Sequence, residues 1–112
     1  MTILEAAHKM STGEASSVEL TTESLSVIKR RADLNAFLAM MNERAEQRAR
    51  EMDAERAAGK VRGPLHGVPV AVKDVFCTKG VKTTCGSPLF GDNVPSYDAA
   101  VACLAEVYRR MG

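Results

Sequence analysis

Only two stretches of the sequence have the composition of a β-strand, which limits what the chain can form by itself. Residues 36–41 read AFLAMM, which is too short and too uniformly apolar for a surface helix. Residues 68–72 read VPVAV, whose branched side chains favour a strand, and Pro69 must lie near its start or at an edge because it lacks an N–H. Two strands do not make a stable sheet. We therefore expect part of a larger α/β fold.

Capping patterns predict two helices before the first of these strands. The letters TILE at 2–5 form a capping box, and the short helix that follows is expected to end near Gly13. A second capping box, SSVE at 16–19, precedes apolar residues that recur at helical spacing. We expect an amphipathic helix over residues 17–32.

A third helix is predicted between the two strands. Asn42 is expected to cap a segment at 43–58 that is rich in Ala, Glu and Arg and closes at Gly59. Glu46 and Arg50 are spaced to pair across one turn. The many charges indicate a helix whose surface faces water.

The length of 112 residues allows at most one small domain. Residues 1–62 are predicted to be a helical N-terminal region with one strand. Residues 63–112 are predicted to hold a strand that bears a lysine, a loop at 77–97 punctuated by Gly and Pro, and a final helix. Asp98 is expected to cap that helix, whose apolar stripe consists of Val101, Leu104, Val107, Tyr108 and Met111.

Composition excludes several function classes. The formal net charge is +1, from 15 basic and 14 acidic residues, which gives no support to binding of nucleic acid or a membrane surface. The first ten residues do not resemble a signal peptide or an anchor. The 3 cysteines, at positions 77, 85 and 103, are an odd number without a close pair. We therefore expect free thiols and a cytoplasmic location.

Lys73 is the residue with the strongest chemical interest. It follows the apolar run at 68–72, so a buried strand would place its ammonium at the boundary of a low dielectric. Burial disfavours the charged form, and a neutral lysine can accept a proton. The alternative is that Asp74 or another carboxylate neutralises the lysine. The residues alone do not choose between a base and an ion pair.

Other polar residues have weaker patterns. His66, Cys77 and Cys85 are separated by eleven and eight positions, without the close pair typical of a metal site. We expect His66 to make a structural hydrogen bond and the two thiols to be unreactive. The glycines between positions 80 and 91 do not follow a phosphate-binding pattern. The sequence therefore predicts no cofactor or metal bound by this chain.

The serines do not offer a nucleophile. Ser87 is followed by Pro88 and lacks the flanking glycines that would let backbone amides form an oxyanion hole. Ser11, Ser16 and Ser17 are expected to cap helices. The chain is therefore predicted to hold a candidate base without a nucleophile.

Several motifs resemble those of the amidase-signature family. They are GPLHGVPVAVKD at 63–74, CTKGVKTTCGS at 77–87 and VPSYDA at 94–99, with SSVEL at 16–20 and LNAF at 34–37 before them. The resemblance covers nearly the whole chain. It implies the N-terminal helices and first strands of a larger mixed-sheet fold, incomplete in this chain.

The resemblance also implies a reaction. The family uses a Ser–cis-Ser–Lys arrangement to hydrolyse a carboxamide through an acyl-enzyme, and Lys73 matches its lysine. Lys73 would be the general base, drawing a proton through a bridging serine. Both family serines lie in motifs beyond residue 112. We therefore expect the chain to be inactive alone.

Within the family, the motifs at 77–87 are most similar to the A subunits of glutamyl-tRNA(Gln)/aspartyl-tRNA(Asn) amidotransferases. That resemblance implies release of ammonia from glutamine for protein biosynthesis. It further implies B and C subunits and misacylated tRNA as partners, with ATP and Mg used by a partner subunit.

Two other interpretations remain open. A stand-alone amidase would act on an aryl, fatty or urea-derived amide. A non-catalytic truncated remnant or interaction module would have an incomplete sheet with an exposed apolar edge. The residues from 98 onward depart from the family, because DAAVACL stands where the family has a helix beginning DATVV.

Overall fold

The computed structural model of the protein describes residues 1–100, and the chain divides into two compact units, Met1–Val70 and Ala71–Gly112. The first unit contains three α-helices, and the second is irregular over residues 71–99 apart from one short 3₁₀ turn. No helix among residues 1–100 has both the length and the apolar composition that a membrane crossing requires.

The first helix, α1 (Ile3–Thr12), begins and ends where the sequence predicts. The Thr2 hydroxyl accepts from the Glu5 N–H at 3.2 Å, while the Glu5 carboxylate accepts from the Thr2 N–H. Gly13 ends the helix in the left-handed region at φ 78°. This conformation costs glycine little because it has no Cβ.

The second helix, α2 (Ser17–Arg30), is also capped as predicted. The Ser16 hydroxyl accepts from the Glu19 N–H at 3.1 Å, and the Glu19 carboxylate accepts from the Ser16 N–H at 2.8 Å. A 3₁₀ turn, Ala32–Leu34, follows it. The prediction of a capped helix at this position is confirmed, although the helix ends two residues early.

The third helix, α3 (Asn42–Ala57), packs against α2. The prediction that Asn42 caps it is wrong, because Met41 holds the cap position without a side-chain hydrogen bond and Asn42 is the first helical residue. The predicted pair of Glu46 and Arg50 is present, with 3.9 Å between carboxylate and guanidinium.

The core of the first unit is small. Ala6 and Met10 of α1 and Leu20 of α2 are buried together, and Ala15 and Val68 pack against them. Met10 is the largest side chain that is fully buried, with 2% of its surface exposed. α1 and α2 therefore supply the buried side chains of this cluster.

The expected strand at residues 36–41 is not formed, and this prediction is wrong. The segment is irregular, and Phe37, Leu38 and Met40 are exposed, Leu38 by 64%. A strand needs a neighbour to satisfy its N–H and C=O groups. No strand exists among residues 1–100 to supply one, so the apolar composition alone does not produce the conformation.

The expected strand at residues 68–72 is also absent, and this prediction is wrong for the same reason. The Val68 N–H donates to the Leu65 C=O at 3.1 Å, which is a turn contact. Val70 and Val72 are 61% and 48% exposed. The first strands of the predicted α/β fold are therefore not present among the described residues.

The described part of the second unit is a hydrogen-bonded loop. The predicted loop at 77–97 is confirmed and includes the 3₁₀ turn Pro88–Phe90. Backbone bonds join its halves, from the Gly80 N–H to the Pro95 C=O and from the Thr83 N–H to the Asn93 C=O, both at 3.0 Å. The final predicted helix, with its stripe from Val101 to Met111, lies outside the described residues.

Candidate active-site lysine and its supporting turn

Lys73 lies in an exposed, irregular segment near the start of the second unit. Its side chain is exposed, as are those of Val72 and Val75 on either side of the 73–74 dipeptide. The expectation of a buried strand that desolvates the ammonium is therefore wrong for this chain. The Lys73 C=O accepts from the Phe76 N–H at 3.0 Å, which closes a tight turn that begins at the lysine.

Asp74 does not neutralise the lysine. Its two carboxylate oxygens accept three hydrogen bonds from another turn of the same unit: from the Thr84 N–H at 2.8 Å, the Thr84 hydroxyl at 2.5 Å and the Gly86 N–H at 3.1 Å. No ion pair joins Lys73 to a carboxylate within residues 1–100. The ion-pair alternative is therefore wrong as well.

The hydrogen bonds of Asp74 have an electrostatic consequence. The hydroxyl of Thr84, and then its N–H, hold the pKa of the Asp74 carboxyl below its ordinary value, with a further contribution from the Gly86 N–H. Donors to a carboxylate favour its charged form. Asp74 is therefore an anion whose partners are dipoles rather than cations.

The turn at residues 84–86 depends on two left-handed residues. Cys85 has φ 52° and Gly86 has φ 66°. Successive N–H groups of a turn can converge on one acceptor. In this turn the Thr84 and Gly86 N–H groups donate to the Asp74 carboxylate, while the Cys85 N–H donates to the Asp74 C=O at 3.1 Å.

A second set of contacts fixes the residues on the other side of the loop. The Asp98 carboxylate accepts from the Lys79 N–H at 2.7 Å, and the Ala99 N–H donates to the Cys77 C=O at 2.8 Å. The Cys77 thiol lies 3.5 Å from the Tyr97 hydroxyl. This contact raises the pKa of the Tyr97 phenol.

His66 is structural, as predicted. It is buried, and its Nε2 lies 2.8 Å from the Met52 C=O while its Nδ1 lies 3.4 Å from the Arg62 N. A neutral ring that donates from Nε2 and accepts at Nδ1 satisfies both contacts. Arg56 adds a bond from its guanidinium to the His66 C=O at 3.0 Å.

The serines divide between caps and other contacts. Ser16 caps α2 and Ser87 caps a 3₁₀ turn, its hydroxyl accepting from the Leu89 N–H at 3.3 Å. The expectation of caps at Ser11 and Ser17 is wrong. Ser11 lies in the last turn of α1 and donates to the His8 C=O at 2.7 Å. The buried Ser17 hydroxyl donates to the Gly67 C=O at 2.6 Å.

Two carboxylates that organise the chain have roles that the sequence did not predict. Asp53 of α3 accepts from the Ser17 N–H at 2.7 Å and the Val18 N–H at 3.0 Å, and so caps α2 from outside. Asp74 was expected only as a counter-ion. The available signal was the Thr-x-Gly at 84–86, because glycine and a hydroxyl in a long loop often mark a turn around an acceptor. Within residues 1–100 no group of three or more His, Cys, Asp or Glu side chains is arranged to hold a metal.

Comparison with known sequences gives consistent matches. The family model described as Amidase matches residues 19–107. The A subunit of the glutamyl-tRNA(Gln) amidotransferase of Rhodopirellula baltica is 45% identical over 94 residues, which are 83% of this chain and 19% of that protein. The corresponding protein of Thioalkalivibrio sulfidiphilus is 46% identical over 101 residues, 89% of this chain and 21% of its own length. The mitochondrial one of Ixodes scapularis is 43% identical over 101 residues, 90% of this chain and 20% of its own length.

Solved structures match as well. A crystal structure of an amidase superposes with a TM-score of 0.82 at 38% identity, covering 95% of this chain and 24% of its own. A chain of a vestigial protein complex, described as revealing the evolutionary origins of an s-triazine catabolic enzyme, gives a TM-score of 0.89 at 32% identity, covering 96% and 24%. The chain thus spans about a fifth of the length of the curated relatives it matches.

Proposed function

The chain belongs to the amidase family, and from that premise we propose that it is the N-terminal part of an amidohydrolase whose catalytic lysine is Lys73. The observation that carries the proposal is the family match over residues 19–107, which contains the lysine motif at 63–74. The sequence-based recognition of the family is confirmed by this match. The role of Lys73 rests on its position in the motif.

We propose that the amide is glutamine and that the ammonia serves tRNA-dependent transamidation. The support is the name shared by the three curated relatives described above, each an A subunit of a glutamyl-tRNA(Gln) amidotransferase. On this proposal the chain works with B and C subunits and misacylated tRNA. ATP and Mg are used by a partner subunit, and this chain binds no cofactor. The free thiols of Cys77 and Cys85 support a cytoplasmic location.

The proposed mechanism assigns one step to this chain. Lys73 accepts a proton through a bridging serine, so that a second serine can attack the carboxamide carbon. Neither serine is identified among the residues of this chain. Because Lys73 is exposed here, the described residues do not supply the burial that favours its neutral form. We propose that the remainder of an amidase domain covers the lysine and supplies both serines.

A second candidate is a stand-alone amidase. The solved structures favour it, because a crystal structure of an amidase is 38% identical and another match is associated with an s-triazine catabolic enzyme. Such an enzyme would hydrolyse an aryl, fatty or urea-derived amide, and the family resemblance implies that the pocket selecting it lies largely downstream of this chain. Both candidates use Lys73 in the same way, and they differ in the substrate and in the need for tRNA.

The non-catalytic interpretation has its own support in the first unit. A groove of about 560 Å³, lined by both apolar and polar side chains, lies between α2, the first 3₁₀ turn, residues 35–40 and the start of α3. Leu25, Ile28, Phe37 and Met40 are among the residues that line it. Exposed apolar surface of this kind favours association. On this interpretation a partner covers the groove.

The experiment compares the chain alone with a chimaera that completes the domain. Residues 1–112 are joined to the remaining part of the Thioalkalivibrio sulfidiphilus relative, and ammonia release is measured from glutamine. We expect no release from the chain alone. In the chimaera, assembled with the B and C subunits of that organism, Lys73→Ala should lower the rate by about 10²- to 10⁴-fold, the usual contribution of a general base.

The control is Lys82→Ala, which removes an exposed lysine that pairs with Asp92 at 3.3 Å. It should leave the rate of ammonia release unchanged. Release from the isolated chain would contradict the proposal of a missing nucleophile. Equal activity of Lys73→Ala and Lys82→Ala would contradict the role of Lys73.

A further inference from the structure

The Asp74 carboxylate accepts three hydrogen bonds within the second unit's described part. All three donors to its carboxylate come from residues 84 and 86, so one side chain holds one turn. The Gly86 N–H is shared with the Thr84 hydroxyl oxygen at 3.2 Å. The Asp74 carboxylate, Thr84 and Gly86 therefore form one connected hydrogen-bond network.

The backbone of Asp74 is tied to the same turn. The Cys85 N–H donates to the Asp74 C=O at 3.1 Å, while the preceding C=O of Lys73 accepts from the Phe76 N–H at 3.0 Å. The peptide groups that follow Lys73 and Asp74 are thus held by two bonds, and the Asp74 side chain by three. Few rotatable backbone bonds separate these hydrogen-bonded groups from the Lys73 Cα.

The groups that contact the side chain of residue 74 all donate hydrogen bonds to it, which favours a carboxylate at this position. Asparagine would place an NH₂ group where the network offers only N–H and O–H donors, so at least one bond would be lost. Bonds to a charged acceptor are shorter and stronger than neutral ones. The chemistry of the turn therefore selects aspartate, although the side chain forms no ion pair with the Lys73 ammonium.

We propose that Asp74 is a positioning residue, whose carboxylate ties the backbone of Lys73 to the turn at residues 84–86. The proposal rests on the proposed function, since the lysine needs a fixed position only if it acts as a base. The lysine side chain extends from a fixed Cα, which limits the positions its Nζ can reach. Catalysis depends on such placement, because small displacements of a reacting group are costly.

The test uses nuclear magnetic resonance on the isotope-labelled 112-residue chain, which needs no activity. In the original chain, the Lys73 and Gly86 amide shifts should follow one acidic titration, that of the Asp74 carboxyl. Asp74→Asn should abolish this titration. It should also speed hydrogen exchange of the Thr84 and Gly86 amides by about tenfold or more, the effect of losing a bond to a charged group.

A second pair of variants keeps the test decisive if Asp74→Asn does not fold. Thr84→Val removes the hydroxyl donor but keeps the shape and the N–H, while Thr84→Ser restores the donor. We expect Thr84→Val to raise the titration midpoint of Asp74 and to increase the backbone mobility of Lys73. Thr84→Ser should return both quantities to their original values.

The control is Asp92→Asn, which removes an exposed carboxylate of the same unit. It should change neither the Asp74 titration that the Lys73 amide shift reports nor the backbone mobility of Lys73. The proposal is overturned if Lys73 is equally ordered in Asp74→Asn, or if Thr84→Ser fails to restore it. It is also overturned if amides throughout the unit change together, because that indicates general destabilisation.

This outcome is separable from the proposed function. An immobile Lys73 held by Asp74, together with full activity of the Lys73→Ala chimaera, would refute the catalytic role and leave the anchor intact. An inactive Lys73→Ala chimaera, together with an unaffected Lys73 in Asp74→Asn, would refute the anchor alone.

Discussion

Gly67→Ala tests the close contact between Gly67, in the turn at residues 65–68, and Ser17 of α2. Gly67 has φ +84°, and a Cβ added there would lie 3.0 Å from both the Cβ and the Oγ of Ser17 and 3.4 Å from the sulfur of Met10. Neither neighbour moves freely, since Ser17 Oγ is bonded to the Gly67 C=O at 2.6 Å and Met10 is fully buried.

The expected loss has two parts. Alanine in the left-handed region costs about 1–2 kcal/mol. Overpacking of a tight contact costs about 1–3 kcal/mol more. Together the substitution should lower the free energy of unfolding by about 2–5 kcal/mol. A change of this size lowers the melting temperature of a domain of this size by roughly 10 °C or more.

The assay is chemical and thermal unfolding followed by helical circular dichroism, which reports on the first unit because α1, α2 and α3 lie there. Gly59→Ala is the matched control. Gly59 has φ +75°, but nothing lies within 4 Å of its added Cβ, so only the backbone cost applies. The difference between the two variants isolates the steric part. Equal destabilisation by both would refute the close contact at Gly67.

Three further outcomes follow from single contacts. Asp53→Ala should cost about 1–2 kcal/mol of unfolding free energy, because it leaves the first two N–H groups of α2 without their acceptor. Hydrogen bonds from Arg62 hold the pKa of Glu55 below its ordinary value of 4.5. The stability that this contact contributes should therefore be fully present above pH 4.5 and should be lost as the pH falls through the lowered pKa. Glu55→Gln should remove that part of the acid dependence. Iodoacetamide should alkylate Cys85, which is exposed, faster than Cys77, which is half-buried and bonded to a phenol, as peptide mass spectrometry would record.

Each of these outcomes has a control or a contradictory result. Asp33→Ala, at an exposed surface pair with Arg31, should leave stability within about 0.5 kcal/mol. Glu46→Gln should leave the acid dependence nearly unchanged, since its pair with Arg50 is long and exposed. Equal acid sensitivity of Glu55→Gln and the original chain would contradict the role of the Arg62 contact. Faster alkylation of Cys77 would contradict its protected position.

What the sequence by itself determined is local. The capping boxes of α1 and α2 join residues three positions apart, as in the bond between Thr2 and Glu5, so the pattern contains both partners. The left-handed end at Gly13 and the long loop at 77–97 are likewise consequences of nearby residue types. The family resemblance is also a property of the sequence, because its motifs are contiguous.

Only the tertiary structure decided the contacts between distant residues. Ser17 is hydrogen-bonded to Asp53, 36 positions away in the sequence, and to Gly67, 50 positions away. At such separations no local sequence pattern identifies the partner. The same limit explains the failure at residues 36–41 and 68–72. An apolar run becomes a strand only when another strand satisfies its N–H and C=O groups, and the described residues supply none. Lys73 is therefore exposed beside the hydrogen-bonded Asp74, where its sequence predicted a buried strand.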